Sequence, residues 1–490
     1  MRLTLLWITV AIMIGAGALM RFYHKHEDLP KGCDEFGYLN QAKAMSEHRT
    51  FENHSDRPWL PGLLDTLRST GITEQEISWM IAPHAYHLIP ETNTIINQYP
   101  PGTAFLLHFI PIEWRKISFP LLAMIILIIS YGLARKDKEK ITAQDLLFTL
   151  FLLLIFFSPP FITELARVNS LAFTWGLLLA AGMVMEKRPL VAATLIGLTV
   201  NFRAANLLML MPLILLMIPK GRLIPDLKKI MLFGIISLLA VSPLLIYNWQ
   251  LTGSAFSTTY SAIDTAFAGW SQFTGNLLYY FDWDQRWFRV HLAVVIICVV
   301  FMILRKAAWN EYAGIILFPL LNYVFFLMHA VQMDYYPYAS SVILAGWILG
   351  QLGKIPIGYA GRFFVPYMAL IVGIIILTVG FDRFNQKQTS TFGEVVDSYK
   401  LLCNYDIVWA DLYSGTSEYA CGNNGFRYFT TTPRARKTAM QYLHNNGYSQ
   451  LILLDDSPVE PPVVSSEVMK SGLAFRYSQS KFFLRLIIIE

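Results

Sequence analysis

Two short stretches hold residue types that can do chemistry: Cys33-Asp34-Glu35-Phe36-Gly37-Tyr38, and Gln98-Tyr99-Pro100-Pro101-Gly102. The first places two carboxylates about fourteen residues beyond an apolar run that ends near residue 20. A carboxylate held beside a membrane surface can take the proton of an attacking alcohol. The second stretch is a rigid turn, because proline fixes its own φ and restricts the residue before it. Asp34 and Tyr38 are four apart, so a helix beginning here puts them on one face. A carboxylate in a first helical turn also has a plainer use, facing the orphan N–H groups there. On pattern alone capping and catalysis both stay open.

Other residues qualify more weakly. His84, His87 and Glu91 lie in Pro-His-Ala-Tyr-His-Leu-Ile-Pro-Glu, and two imidazoles with a carboxylate can hold a divalent metal. Pro90 interrupts any regular helix through all three, and ordinary loop packing is the alternative. Arg167, Arg203 and Arg286 stand at the ends of apolar segments. Arginine is costly there and so is seldom idle; each is a candidate for a lipid phosphate, with an internal ion pair such as Glu164 with Arg167 as the alternative. Asp282 and Asp284, among Tyr, Phe and Trp, could read acceptor hydroxyls, while the aromatics themselves belong at a membrane interface.

The elements that must position these residues follow from composition. Of 490 residues, 54% are hydrophobic and 15% charged, with a mean hydropathy of +0.44. Apolar runs of bilayer-spanning length recur from residue 3 to residue 381, the mark of an all-α polytopic membrane protein. The net charge of +5 does not point to nucleic acid, because the basic residues collect in short connectors, where they report orientation. The runs are 3 to 20, 118 to 134, 144 to 161, 170 to 185, 189 to 219, 230 to 247, 287 to 304, 312 to 328, 338 to 353 and 363 to 381. The run 189 to 219 is about 46 Å long as one helix, against a hydrocarbon core of roughly 30 Å. A pair of short helices turning near Asn201-Phe202-Arg203 resolves this, bringing the count to about eleven transmembrane helices. A cleaved signal peptide is the alternative for the first run, given Ala16-Gly17-Ala18.

With the N-terminus cytoplasmic, the short basic connectors fall on the cytoplasmic side. The long loops 21 to 117 and 248 to 285 then fall outside, as does everything after 381. This divides the chain into a membrane domain, 1 to 381, and a small extracytoplasmic α/β domain, 382 to 490. Within the first loop, Thr73 and Glu76 make a capping box, and 103 to 110 is apolar but too short to span. In the tail, 406 to 410, 451 to 454 and 482 to 489 read as strands. Pro433 to Leu443 reads as a helix capped by Thr432 with Gly447 beyond its end. Cys403 and Cys421 share the tail, and spacing leaves their pairing open.

The order of motifs resembles a known family. First span, Asp-Glu-x-x-Tyr, a loop of about 60 residues, Tyr-Pro-Pro-Gly and a span ending in basic residues resemble the GT-C superfamily, membrane glycosyltransferases that use polyprenyl-phosphate sugars. Protein O-mannosyltransferases, lipid A aminoarabinose transferases and many uncharacterised bacterial cousins are members that this motif order resembles. Glu164-Leu-Ala-Arg167, Asn201-Phe-Arg203-Ala-Ala-Asn206, and Tyr247-Asn248 with Thr252-Gly253-Ser254 and Tyr260 extend the likeness. The resemblance implies that Asp34 is the catalytic carboxylate, with Glu35 orienting it or meeting the acceptor. It implies substrate contacts at Tyr38, Gln98, Tyr99 and Tyr260. Aminoarabinose transferases carry Glu-Lys before Pro-Pro, where the Glu helps hold a metal; here the residues are Gln98 and Tyr99, so a metal and that sugar are both left open. The expected activity is inverting transfer of a sugar from a polyprenyl-phosphate donor to a hydroxyl on a lipid, glycan or protein, outside the cytoplasm, in what would be a bacterial inner membrane. A transporter or flippase of a lipid-linked saccharide is the rival, although repeated halves are not seen.

Overall fold

The computed structural model describes residues 32–47, 52–53, 57–111, 168–218, 226–258, 269–283, 286–304, 306–330, 332–333, 336–351, 402–411, 413–428, 431–454, 468–470, 472–479 and 485–489, with scattered positions between 115 and 129 and at 464. The expected spans 3 to 20, 144 to 161 and 363 to 381, and most of 118 to 134, lie outside the described residues. Packing sorts the chain into two compact units that interleave along the sequence. One takes Met1–Tyr23, Ile112–Ile246 and Thr265–Lys387; the other takes His24–Pro111, Tyr247–Asp264 and Gln388–Glu490.

The first unit is built of apolar helices. Leu171–Val184, Pro189–Val200, Arg286–Leu304, Trp309–Leu327 and Tyr338–Gln351 form where the sequence predicts spans. The helix Leu227–Thr252 begins in this unit, and it and Trp309–Leu327 are long and apolar enough to cross a membrane. Leu227, Met231, Leu232, Ile235, Leu238 and Leu239 are exposed along the first of these, an apolar stripe that a hydrocarbon solvent tolerates and water does not.

Residues 189 to 219 are broken as the span length requires. The helix Pro189–Val200 stops, Asn201 to Arg203 turn, and a 3-10 segment Ala204–Leu210 leads into Met211–Leu216. Asn201 has a second task. Its Nδ2 donates to the Ala240 carbonyl at 2.7 Å and its Oδ1 accepts from the Leu244 N–H at 2.8 Å. These are the two groups an unbroken helix would join, and Pro243 lies between them; a side-chain amide inserted there satisfies the backbone where no water is available. Leu171–Val184 and Tyr338–Gln351 pack backbone against backbone through Gly182, Gly346 and Gly350. A Cβ at Gly350 would come within 2.6 Å of the Met183 carbonyl oxygen. Small residues at a membrane helix crossing allow this close approach.

The second unit joins the first long loop to the tail. A 15-residue helix, Gly32–Ser46, carries Asp34 and Glu35 in its first turn. The capping box forms as read, Thr73 accepting from the Glu76 N–H while the Glu76 carboxylate accepts from the Thr73 N–H. The short apolar piece becomes the helix Gly102–His108. A three-stranded antiparallel sheet not foreseen from sequence, β1 (Glu52–Asn53), β2 (Tyr86–Ile89) and β3 (Thr94–Asn97), has the order β1-β3-β2. The tail is an α/β fold. Its strands are β4 (Ile407–Ala410), β5 (Asn424–Arg427), β6 (Gln450–Leu453), β7 (Phe475–Gln479) and β8 (Arg485–Ile489), ordered β5-β4-β6-β8-β7. The first three are parallel and the last two antiparallel. Thr432 caps Pro433–Asn445 as expected, and Cys403 and Cys421 are disulfide-bonded.

Loop and tail share one core. Trp59 and Trp409 both pack on Phe426. Arg57 Nη2 donates to Glu418 Oε2 at 2.9 Å, with both side chains 6% exposed. A Cβ at Gly415 would overlap the ring of Phe36 in the Asp34 helix.

Candidate active site

The two motifs singled out in the sequence meet. The Tyr99 phenol donates to Asp34 Oδ1 at 2.5 Å. Three features hold that contact. Asn97 Nδ2 donates to the Gly37 carbonyl at 2.8 Å, and Asn97 Oδ1 accepts from the Tyr99 N–H at 2.7 Å, so one side chain pins the Tyr-Pro-Pro turn to the Asp34 helix. Tyr99 lies against Tyr38, ring centroids 4.9 Å apart. Gly37 leaves the space the Tyr99 ring fills, because a Cβ there would come within 2.5 Å of it. The Cys33 thiol also donates to Asp34 Oδ1, at 3.5 Å. Burial, and secondly the Asp34 charge, push its pKa up to about 12, so it stays protonated. Among the described residues no hydrogen bond engages Asp34 Oδ2. That oxygen has the chemistry of a general base whose partner oxygen is fixed by a phenol.

No family model matches the sequence, and no curated protein matches it. Two solved structures do match by fold: ArnT from Cupriavidus metallidurans bound to undecaprenyl phosphate, and the same protein in the apo state. Each gives a TM-score of 0.54 over 98% of this chain and 97% of that chain, at 10% and 11% identity respectively. The fold is that of ArnT. Its likeness runs through the tail as well as the helices, and the resemblance drawn from motif order meets it.

Within the ArnT fold the remaining candidates divide. Glu35 is 2% exposed, one residue on from Asp34. Gln98 is buried beside His87. His87 is fully buried, edge-on to Trp79 at 5.0 Å. Burial, then the Arg427 charge, hold its pKa well below the ordinary imidazole value. Glu91 is exposed beyond the end of β2. The His84, His87 and Glu91 set therefore does not converge, and among the described residues no group of three His, Cys, Asp or Glu is placed to hold a metal.

Arg203, in the first unit, donates to Ser170 Oγ at 3.5 Å and lies 5.8 Å from the ring centres of both Tyr336 and Tyr338. Arg286 opens the helix Arg286–Leu304, and Asp282 is exposed after Phe273–Tyr280. Arg167, Tyr260 and Asp284 lie outside the described residues.

Sequence reasoning missed the tail's contribution. Asp411 follows β4 directly, and its Oδ1 is 3.6 Å from His84 Nδ1. Ser414 Oγ accepts from the His84 N–H at 2.9 Å and donates to the Asp411 carbonyl at 2.8 Å. Arg427, fully buried at the end of β5, donates from Nη2 to the Tyr86 carbonyl at 2.5 Å and lies 4.6 Å from the centre of the Trp79 ring. Asp411 was legible in principle: a carboxylate at the carboxyl end of a parallel strand occupies the edge where α/β sheets bind ligands. Arg427 had no such signal, since Asn-Gly-Phe-Arg does not read as a buried strand.

Proposed function

We infer that the protein is a membrane glycosyltransferase that moves a sugar from a polyprenyl-phosphate donor to a hydroxyl acceptor, with inversion, outside the cytoplasm. One observation carries the reading: on a fold shared with ArnT, of which one solved structure holds undecaprenyl phosphate, the carboxylate of the first motif is bonded to the tyrosine of the second.

The chemistry asks for few groups. Asp34 takes the proton of the acceptor hydroxyl as its oxygen attacks the anomeric carbon, and the C–O bond to the lipid phosphate breaks. A positioned base of this kind is worth roughly 10²–10⁴ in rate. The departing phosphate needs positive charge more than a proton; by sequence position that role falls to Arg167, Arg203 or Arg286. Direct displacement by the acceptor inverts the anomeric centre. Two opposed carboxylates, as in hydrolases that activate water, are not required. The outward placement of Asp34 is supported by the Cys403–Cys421 disulfide in the same compact unit, because disulfides persist in oxidising compartments.

The test is transfer by purified protein in nanodiscs, supplied with labelled undecaprenyl-phosphate sugars and a membrane extract as acceptor source. Asp34→Asn is expected to lower transfer by about 10² or more while leaving the disulfide and the thermal midpoint intact. Wild-type transfer from no such donor, or full transfer by the variant, would overturn the reading.

A further inference from the structure

On the turn that packs against the Asp34 helix lies a second group that the reaction above leaves unused. His84 is half-buried, and its Nδ1 is buried with no hydrogen-bond partner among the described residues. The nearest carboxylate oxygen is Asp411 Oδ1 at 3.6 Å, just beyond a hydrogen bond; contacts of this kind are often long before substrate closes a site. The backbone shows that the placement is imposed. Ala85 has φ +100°, a region that costs a non-glycine residue about 1–3 kcal/mol and persists only where the surroundings over-determine it. They do: the Ala85 carbonyl accepts from the Gln98 N–H at 2.9 Å. A Cβ at Gly37, on the Asp34 helix, would sit 2.9 Å from the Ala85 Cβ. On the other side Ser414 clamps the His84 N–H to the loop that carries Asp411.

The tail topology gives that clamp a meaning. From β4 the chain goes out to β5 and then returns past β4 to β6. Ligands of open α/β sheets bind outside the carboxyl ends of strands, where the order reverses. Asp411 sits there, directly after β4, and what it faces is the imidazole of His84.

We propose that His84, oriented by Asp411, binds a second hydroxyl of the acceptor beside the one that Asp34 deprotonates, so that the acceptor is a saccharide with neighbouring hydroxyls. A small rotation of His84 or Asp411 closes Nδ1–H onto the carboxylate, 3.6 Å away. That fixes the tautomer and leaves Nε2 with its lone pair, an acceptor for O–H and a poor site for an anion. Burial, and secondly the Arg427 charge, keep the imidazole pKa low and the ring neutral. The turn that carries His84 packs on the Asp34 helix where Ala85 meets Gly37, which sets the two groups on neighbouring segments. His84 touches the acceptor and Asp411 is a positioning residue. No bond beyond those of the transfer itself is made or broken.

This inference rests on the transferase reading, and the experiment separates the two. Full-length wild type, Asp34→Asn, His84→Ala, His84→Gln and Asp411→Asn are assayed in nanodiscs with labelled undecaprenyl-phosphate sugar while the membrane extract is varied. A parallel arm uses extract oxidised with periodate and quenched, which cleaves vicinal diols. His84→Ala and Asp411→Asn are expected to raise the half-saturating extract concentration about tenfold with the donor half-saturation unchanged. His84→Gln, whose amide oxygen can accept near the Nε2 position, is expected to stay within about threefold of wild type. Oxidised extract is expected to lose its acceptor activity. Thermal midpoint and an intact disulfide check folding, and if Asp411→Asn fails to fold, the two His84 variants and the periodate arm decide. Unchanged acceptor saturation in His84→Ala, or undiminished acceptance from oxidised extract, overturns the proposal while an inactive Asp34→Asn leaves the transferase standing. No transfer by wild type overturns both.

Discussion

At the scale of the residue, the Asp34 carboxylate is set by a phenol rather than by a second acid or a lysine. Tyr99→Phe removes one hydrogen bond to Asp34 and little volume. A bond to a charged group is worth about 1.5–3 kcal/mol, so kcat is expected to fall by one to two powers of ten with the fold intact, read in the nanodisc assay. His87 gives a separate pH expectation. Its folded pKa lies well below the ordinary 6.5, so below pH 6.5 the unfolded chain binds the proton that the folded one refuses. Stability is then full above 6.5 and declines as pH falls towards the folded value. The thermal midpoint should drop between pH 7.5 and 5.5 in wild type, and less steeply in His87→Gln. Asp34 and Tyr99 drew attention because their two motifs stand at either end of one polar loop, and the structure brings them together. His87 was legible only as an imidazole: nothing in its neighbours told a ligand from a core residue packed on Trp79.

At the scale of the element, glycines decide what can touch what. Gly37→Ala keeps the helix but drives a methyl into Tyr99 and Ala85. Overpacking of this kind costs typically about 1–3 kcal/mol, and here it acts on the Asp34–Tyr99 bond. Activity should therefore fall by far more than the thermal midpoint does; equal losses would mean that Tyr99 does not set the carboxylate. The tail helix Pro433–Asn445 was readable from Thr432, Pro433 and Gly447 because caps are local chemistry. β2 and β3 were not, since two four-residue strands around Pro90 present no period long enough to recognise. β5 was hidden for another reason: it carries an arginine into the interior, where the carbonyls of Pro83 and Tyr86, more than three hundred positions away, accept from its guanidinium.

At the scale of the whole molecule, the membrane character was plain from hydropathy, and two described helices answer to it directly. What no local reading could supply is the sorting of residues into units, because it depends on pairs such as Arg57 with Glu418, 361 positions apart. Only Nη2 of that guanidinium is engaged; Nε and Nη1 are buried without a partner among the described residues. Breaking such a pair strands a buried charge. Glu418→Leu alone is expected to destabilise the second unit by about 3–5 kcal/mol, and Arg57→Met with Glu418→Leu to recover most of it, read by denaturant unfolding with Trp fluorescence.

The same pairing has a consequence for how the protein is made. Asp34 leaves the ribosome well before Asp411, Ser414, Gly415, Glu418 and Arg427, which brace its surroundings. A chain cut short before residue 388 therefore lacks every tail group that packs against the Asp34 helix and its neighbours.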